Sequence, residues 1–434
     1  MALFKRTSIV LGAAASLLAV TSTYAQPNIL LVIADDMGLD ASRCYNVGKQ
    51  QANMPVLEAM CAQGKVFENA YAAPTCSPTR ASIMTGKHGF RVGVGGAIPK
   101  RGNFTGVSSN EYSLFDALAK SNYASAVVGK WHIAGAQDGF NHPASLGVKE
   151  YFGLYNGGVK DYSNWDGVHN GKVVPVNTYA TTALTNHAID WVSQQTTPWF
   201  LWLAYNAPHT PFHLPPQNLH STGNLPSDDA SIKANPVPYY NAMLEALDTE
   251  LGRLLASLSK DVRDNTIVMF LGDNGSPSSI SRSIYGPRRN KGSIYQGGTN
   301  VPFVVSGPGI SKGRTDALMN TSDLFATISS LAGVPAQATD SVNFSSVLNG
   351  GSGARQFAYA EHFGNNQRRP DVFGWAVRNA RYKLVEEQGE AQELYDLAND
   401  PLEKNDLLAG TLDAAQSAQL KSLQQTYSNL HKAQ

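Results

Sequence analysis

Five short apolar, β-branched runs punctuate the chain: NILLVIA (Asn28–Ala34), SAVVG (125–129), WFLWLAY (199–205), TIVMFLG (Thr266–Gly272) and PFVVS (302–306). Runs of this length and composition read as strands buried on both faces. Helical patterns lie between them. The clearest spans 239–259, with Leu244, Leu247, Leu251, Leu254, Leu255 and Leu258 on one face; leucines so spaced make a core-facing stripe rather than a partner-binding seam. Strand–helix alternation argues for a largely parallel α/β sheet. In such sheets ligands bind beyond the carboxyl ends of the strands, so the residues that follow each run matter most.

Asp35-Asp36 follow the first run, Lys130-Trp131-His132 the second, Asn206-Ala207-Pro208-His209 the third and Asp273-Asn274-Gly275 the fourth. A single Asp or Lys at a strand end is ordinary, because such ends are solvated. Four successive ends of charged or metal-binding type are harder to dismiss. Only PFVVS breaks the pattern.

Past residue 350 the texture changes. GGSGARQ (350–356) reads as a linker, and strand candidates at 357–361, 373–379, 382–387 and 392–397 are spaced closely enough for antiparallel hairpins. A helix over 413–432 closes the chain. The expected organisation is a catalytic domain over 26–350 and a small α+β domain with an antiparallel sheet over 351–434.

At the other end, Lys5-Arg6 precede an apolar run over 8–20 and a small-residue close, Thr23-Tyr24-Ala25. This describes a secretory signal peptide over 1–25. The run is short for a membrane span; an N-terminal anchor is the alternative reading. No cysteine follows it as a lipoprotein would need, and no other segment is long and apolar enough to cross a bilayer. An exported protein, periplasmic or secreted, is expected. Export permits disulfides. Cys44 and Cys61 could pair, leaving Cys76 alone; Cys61, within a helical pattern over 56–64, fits equally as a buried thiol. Lys+Arg and Asp+Glu both number 34, so no net charge draws the chain to nucleic acid or an anionic membrane.

Asp35, Asp36, Asp273 and Asn274 are hard oxygen donors. Converging on one sheet edge, they suit Ca²⁺, or less well Mg²⁺, and not zinc; helix capping is the bland alternative. Two adjacent carboxylates at a buried strand end repel, and a divalent cation relieves them. Arg80, Lys130, His132, His209 and Lys291 form a basic set. Beside a divalent cation they describe a pocket for a tetrahedral anion or its ester, the lysines and arginine neutralising oxygens and the histidines moving protons. Cys76 is the candidate nucleophile. Ser77-Pro78 reads as a helix start, which places residue 76 at a helix N-terminus. A plain thiolate is nevertheless a poor acceptor beside a hard cation, because its sulfate adduct has no internal route to release.

Cys76-Ser77-Pro78-Thr79-Arg80, continued by Ala81-Ser82-Ile83-Met84-Thr85-Gly86, resembles the Cys-x-Pro-x-Arg core of the formylglycine-dependent sulfatases of the alkaline phosphatase superfamily. GKWHIAG (129–135), APHTPF (207–212), GDNGS (272–276) and NKGSIYQGGTNVPF (290–303) look like that family's later blocks, in order. WAVRNARYKLV (375–385) and ELYDLANDPLEKNDL (393–407) resemble its C-terminal domain. The likeness covers nearly the whole chain after residue 25. It implies an alkaline-phosphatase-like α/β fold, a large mixed and mostly parallel sheet flanked by helices, with a small C-terminal domain carrying a four-stranded antiparallel sheet. It also implies that Cys76 is oxidised by a maturation enzyme to formylglycine (3-oxoalanine). The hydrated aldehyde would attack sulfur with one hydroxyl, and loss of a proton from the other would expel sulfate.

By the same resemblance, Asp35, Asp36, Asp273 and Asn274 would hold Ca²⁺ together with residue 76, and Asp273 could take the proton of the attacking hydroxyl. Arg80 would steady the hydrate. Lys130 and Lys291 would bind sulfate oxygens, His209 would protonate the leaving oxygen with help from Lys291, and His132 would deprotonate for release. Two departures stand out: Leu271-Gly272 precede Asp273 where the family often has a hydroxyl residue, and Thr79 replaces the commoner serine.

The reaction implied is hydrolysis of sulfate esters, a sulfuric ester hydrolase activity, first of all on sulfated saccharides. Aryl sulfates are the second choice. Phosphonate monoester or phosphodiester hydrolysis, known in the same superfamily, is an alternative, and an anion-binding protein would result if Cys76 stayed unmodified. The segments between motifs, 135–143, 151–169, 212–224 and 280–289, would line the pocket. Trp165, His213, Arg282, Arg288 and Arg289 are the candidates there for gripping a sugar ring or a second anionic group, against the plain reading of each as part of a solvated loop.

Overall fold

A computed structural model describes residues 26–364 and 373–432. The signal-peptide expectation for residues 1–25 lies outside them. The main sheet has ten strands: β1 (Asn28–Ala34), β2 (Lys65–Tyr71), β3 (Ala124–Gly129), β4 (Glu150–Gly153), β5 (Trp165–His169), β6 (Lys172–Val176), β7 (Trp199–Ala204), β8 (Thr266–Gly272), β9 (Phe303–Ser306) and β10 (Gly313–Asn320). Their spatial order is β10-β2-β9-β8-β1-β7-β3-β4-β5-β6. Only β5 and β9 run against the other strands. The sheet is therefore mixed and mostly parallel, flanked by helices, as expected.

β1 sits at the centre, and all seven of its residues are buried. Ile29, Leu31 and Ile33 face one core layer; Leu30, Val32 and Ala34 face the other. This period-two division is why the run reads as continuously apolar. The helix Pro236–Ser257 covers the second face. It begins earlier than the leucine pattern does, because Pro236 occupies the first turn, where a missing N–H costs nothing. Leu244, Leu247, Leu251 and Leu254 are buried along its length.

The register aligns the strand ends. Ala34 lies opposite Gly272, and both Ile33 and Gly129 lie opposite Ala204. The residues that follow β1, β3, β7 and β8 therefore emerge side by side. β9 resolves the one exception in the sequence pattern: it is antiparallel to both neighbours, so its carboxyl end points to the opposite edge. Five strands carry no strong run of apolar residues and were not expected, namely β2, β4, β5, β6 and β10. β2 matters most, because it delivers the chain to Cys76.

Cys44 and Cys61 form a disulfide with a Cα–Cα distance of 6.1 Å. Of the two readings the sequence left open, pairing is the one found. It ties the helix Pro55–Gln63 to the preceding loop, and Cys76 is the remaining free cysteine.

A second sheet of four antiparallel strands, β11 (Ala358–His362), β12 (Gly374–Arg378), β13 (Tyr382–Glu387) and β14 (Glu393–Asp396), follows the 350–356 stretch. That stretch is not free: Arg355 is clamped on the Asp323 carboxylate at 2.5 and 2.6 Å. The helix Ala414–Lys432 packs on this sheet, with Tyr427 stacked on Trp375 at 3.8 Å. Buried contacts join the lobe to the main body, two of them made by carboxylates. Glu361 accepts from the Phe90 backbone N–H (2.9 Å), and Glu403 from that of Gln296 (2.6 Å). No helix among the described residues is long and apolar enough to cross a membrane.

Candidate active site

β2 leads into the helix Cys76–Thr85, all ten residues of which are buried. The helix starts at Cys76 itself, slightly before the Ser77-Pro78 start read from the sequence. Residue 76 thus occupies its first turn, where backbone N–H groups lack intrahelical partners. Thr79 Oγ1 accepts from Ala73 N (3.0 Å) and donates to the Thr75 carbonyl (3.2 Å), fixing the entry into the helix.

Around Cys76 the strand ends assemble a floor. Lys130 Nζ donates to Asp35 Oδ2 at 2.5 Å and lies 3.3 Å from Cys76 Sγ. Arg80 donates from Nε and Nη2 to Asp273 Oδ2 (3.1 and 2.7 Å), and from Nη1 to the Lys130 carbonyl (2.7 Å). Lys291 Nζ lies 2.5 Å from Asp36 Oδ1. Asn274 Nδ2 donates to the same Oδ1 at 2.9 Å, and His209 Nε2 stands 3.9 Å from Asp36 Oδ2. Asp35, Asp36, Cys76, Arg80, Lys130, Asp273 and Asn274 are each 1% exposed or less. The side chains of His209 and Lys291 keep 21% and 22% of their exposure, so these two stand at the mouth.

Backbone geometry holds the floor in place. Asp36 takes a left-handed conformation (φ 71°), with its carbonyl accepting from Tyr240 Oη at 2.8 Å and its N–H donating to Asp273 Oδ1 at 3.0 Å. His132 is also left-handed (φ 53°); such strain in non-glycine residues gathers at functional sites. Gly272 explains one departure from the family pattern, since a Cβ there would sit 2.1 Å from the Met37 carbonyl oxygen.

The charges shift one another. Burial opposes ionisation of Asp35, yet Lys130, followed by His209, Arg80 and Lys291, outweighs it and holds the carboxyl far below its ordinary range. Asp273 moves up to about 6, through burial and the charge of Asp35, against the pull of Arg80. Burial pushes the Cys76 thiol up to about 12, overcoming the pull of Lys130 and Lys291. Burial and then Lys130 hold His132 well below its ordinary value, and burial lowers His209 against the pull of Asp35. Burial would lower Lys291, but the neighbouring charges, those of Asp36 and Asp35 among them, outweigh it and hold the ammonium above its ordinary value.

The residues present fit a hard divalent cation. Asp35 Oδ1 and Asn274 Oδ1 are buried acceptors with no partner, in a set of oxygen donors. Carboxylates of Asp35, Asp36 and Asp273 face cations of Arg80, Lys130 and Lys291, so the floor by itself is balanced. A bound dication would make it positive, which is what an anionic ester requires.

All the residues of the expected catalytic and metal set converge here. Of the five candidate substrate contacts, Arg288 and Arg289 share a cleft with Lys291, and Trp165, His213 and Arg282 lie outside it. Trp165 is buried, with Nε1 donating to the Thr178 carbonyl at 3.1 Å. His213 packs on Tyr162 (4.4 Å between rings) and lies 3.1 Å from Tyr179 Oη through Nε2. Arg289 donates to Tyr395 Oη (2.9 Å) and to the Glu403 carbonyl. Arg282 is exposed on the helix Ser278–Tyr285. Arg288 is exposed and lines a cleft of about 990 Å³ that runs from Lys291 to the second lobe, where His362, Glu387 and Lys404 also face it.

Sequence reasoning missed the residues that position the histidines. Tyr162 Oη donates to the His209 carbonyl at 2.6 Å. Gly157 lies against the His132 ring, and a Cβ there would come within 2.6 Å of Cε1. Neither position carries a charge or a periodic signal that could have marked it.

The sheet order and this buried, charge-paired floor define the class: an alkaline-phosphatase-like α/β protein with a charged centre beyond its strand ends. The family model described as "Sulfatase" matches residues 27–334, and that described as "N-sulphoglucosamine sulphohydrolase, C-terminal" matches residues 289–431. The chain belongs to the sulfatase family. It is 29% identical over 365 residues to the N-acetylgalactosamine-6-sulfatase of Sus scrofa, covering 76% of this chain and 66% of that one. It is 27% identical over 451 residues to arylsulfatase A of Homo sapiens, covering 89% and 84%. The chain thus spans just under two thirds of the first of these relatives. Among solved structures, Ps i-CgsB superposes with a TM-score of 0.79 at 26% identity, covering 94% of this chain and 93% of that one.

Proposed function

We propose that the chain hydrolyses sulfate esters, with residue 76 converted to formylglycine by a maturation enzyme, and that its substrates are sulfated saccharides. The observation that carries this reading is the state of Cys76. It is buried, unpaired and in contact with Lys130, yet its thiol is pushed up to about 12. Burial disfavours the thiolate, which is the form in which a cysteine acts as a nucleophile. A site this complete around an inert thiol makes sense if the thiol is a precursor.

The hydrated aldehyde would supply two hydroxyls on one carbon, one to attack sulfur and one whose deprotonation expels sulfate. Asp35, Asp36, Asp273 and Asn274 would hold Ca²⁺, which would neutralise charge gathering on the ester oxygens. Asp273, next to residue 76 on the floor, would accept the proton of the attacking hydroxyl. Arg80 fixes Asp273 through two hydrogen bonds while leaning on the Lys130 carbonyl. Lys130 and Lys291 bind the sulfate oxygens from the floor and from the mouth. His209 Nδ1 faces its neighbour's carbonyl, that of Thr210, at 2.8 Å, which leaves Nε2 to carry a proton to the leaving oxygen. His132 Nε2 lies 3.0 Å from the Ile98 carbonyl, while its Nδ1 is buried and unpartnered. As a neutral imidazole held at Nε2, it offers Nδ1 as the base for sulfate release.

The saccharide preference draws on two supports. The relatives include N-acetylgalactosamine-6-sulfatases, and Ps i-CgsB has been solved with k-i-k-neocarrahexaose at 25% identity to this chain. The wide cleft beside Lys291 is large enough for a sugar chain. Export is part of the same proposal, supported by the leader-like residues 1–25 and by the Cys44–Cys61 disulfide, which suits an oxidising compartment. Sulfate release from sulfated oligosaccharides, sulfated monosaccharides, 4-nitrophenyl sulfate and 4-nitrophenyl phosphate tests the reading. Sulfate released fastest from a saccharide, and lost on chelation, would support it. Phosphate released faster than any sulfate would overturn it.

A further inference from the structure

A second cluster of ligand side chains lies on a different part of the sheet. Glu150 opens β4 opposite Ala126 of β3, three residues before the strand's end at Gly129. That places it about 10 Å back from the catalytic edge. Glu150 and Phe152 share one face of β4, and His169 of β5 pairs directly across from Phe152. The helix Ala180–Ser193 crosses the same face and adds His187.

Both histidines turn Nε2 toward one oxygen: His169 Nε2 stands 3.1 Å and His187 Nε2 2.8 Å from Glu150 Oε1. One ligand atom from each residue lies within 4.8 Å of the others. The supports are fixed as well. Asn170, left-handed at φ 45° in the Asn-Gly turn between β5 and β6, donates from Nδ2 to Glu150 Oε2 at 2.8 Å. The same side chain accepts from Tyr151 N at 2.8 Å. The His187 ring stacks on Phe152 at 4.5 Å. The three side chains keep 45% (His169), 22% (His187) and 21% (Glu150) of their exposure, so an ion could enter and keep a water.

We propose that Glu150, His169 and His187 form a site for a divalent transition metal, zinc foremost, separate from the hard-cation floor. Two imidazoles and one carboxylate are borderline donors that suit zinc and reject calcium. Binding requires each ring to carry its proton on Nδ1, so that Nε2 offers its lone pair. Donor atoms around zinc stand about 3.4 Å apart, close to the present spacing. Asn170 acts as the outer support that orients the carboxylate.

The test is a zinc titration of the full chain held in excess Ca²⁺, read by calorimetry and by Tm. One equivalent of zinc should bind and raise Tm. His169→Asn and His187→Asn should each weaken that binding by roughly 100-fold or more, at or beyond the upper end of the loss when only an outer-shell partner is removed, and abolish the Tm rise. Tm without zinc should stay near the parent value in His169→Asn, whose ring is half exposed. No saturable zinc binding by the parent chain, or binding and Tm rise unchanged in both variants, would overturn the proposal.

Discussion

The floor at the strand ends and the rim along the second lobe hold their charges differently. On the floor, Arg80 meets Asp273, Lys130 meets Asp35 and Lys291 meets Asp36, at 2.5 to 2.7 Å, nearly all of it out of water. Taking so many charges out of water is costly unless each is paired, so removing one disturbs its neighbours. On the rim, Arg288 is exposed, and the His362–Glu387 pair keeps 30% and 25% of its side-chain exposure. Water screens those groups, and each acts nearly alone. A preorganised floor is thus joined to an adaptable rim. Chemistry should fail when the floor is touched, and preference should change when the rim is touched.

Cys76→Ala would break the comparison most sharply. It should lower sulfate release by on the order of 10⁴-fold or more on every substrate, with Tm near that of the parent chain. An equal loss of activity and fold would mean the floor is structural only. His209→Asn sharpens the division between floor and mouth. A sulfated sugar alcohol, a poor leaving group, should lose on the order of 10² to 10³ in kcat. With 4-nitrophenyl sulfate, whose leaving group needs little protonation, the loss should be about tenfold or less. Equal losses on both would remove His209 from the acid's role.

Gly157→Ala probes the floor without removing a charge. A methyl group 2.6 Å from the His132 ring must displace it, and a displacement of this kind costs up to about 100-fold in kcat. Arg288→Ala belongs to the rim: KM for a polyanionic oligosaccharide should rise roughly tenfold, and kcat for 4-nitrophenyl sulfate should not change. The smallest effect concerns the seam between the lobes. Burial pushes Glu361 up to about 8, above its unfolded value of about 4.3. Its contribution to stability is therefore full below the unfolded value and lost as pH rises through about 8. Glu361→Gln should flatten the fall in Tm between pH 5 and pH 9 by roughly a few degrees.

The same contrast explains what the sequence made legible. Asp35, Lys130, His209 and Asp273 follow buried runs that can only be strands, and parallel neighbours in register bring such ends together. The second sheet was equally readable from its close-set apolar runs. β2, β4, β5, β6 and β10 were not, because Glu68 and Asn69, Glu150, Asp166, Pro175, and Arg314 and Asp316 break or bound their apolar character. The sequence places the start of the helix at Cys76 one residue late, since Ser77-Pro78 is a strong start signal while the true start carries no side-chain cap. Trp165 and His213 had the residue types of a sugar site, yet each is held by neighbours that only the tertiary structure supplies. Gly157 and Tyr162 act through shape and backbone contacts, and neither leaves a trace in composition.

The most direct measurement is the chemical state of residue 76 set against turnover. Preparations made with graded amounts of a formylglycine-generating enzyme would be assayed for sulfate release, and the fraction of aldehyde at residue 76 determined by peptide mass spectrometry. The account predicts a rate proportional to the aldehyde fraction, reaching zero when Cys76 is entirely a thiol. Sulfate released as fast by the unmodified thiol, or none released by a fully converted chain on any sulfate ester, would contradict it.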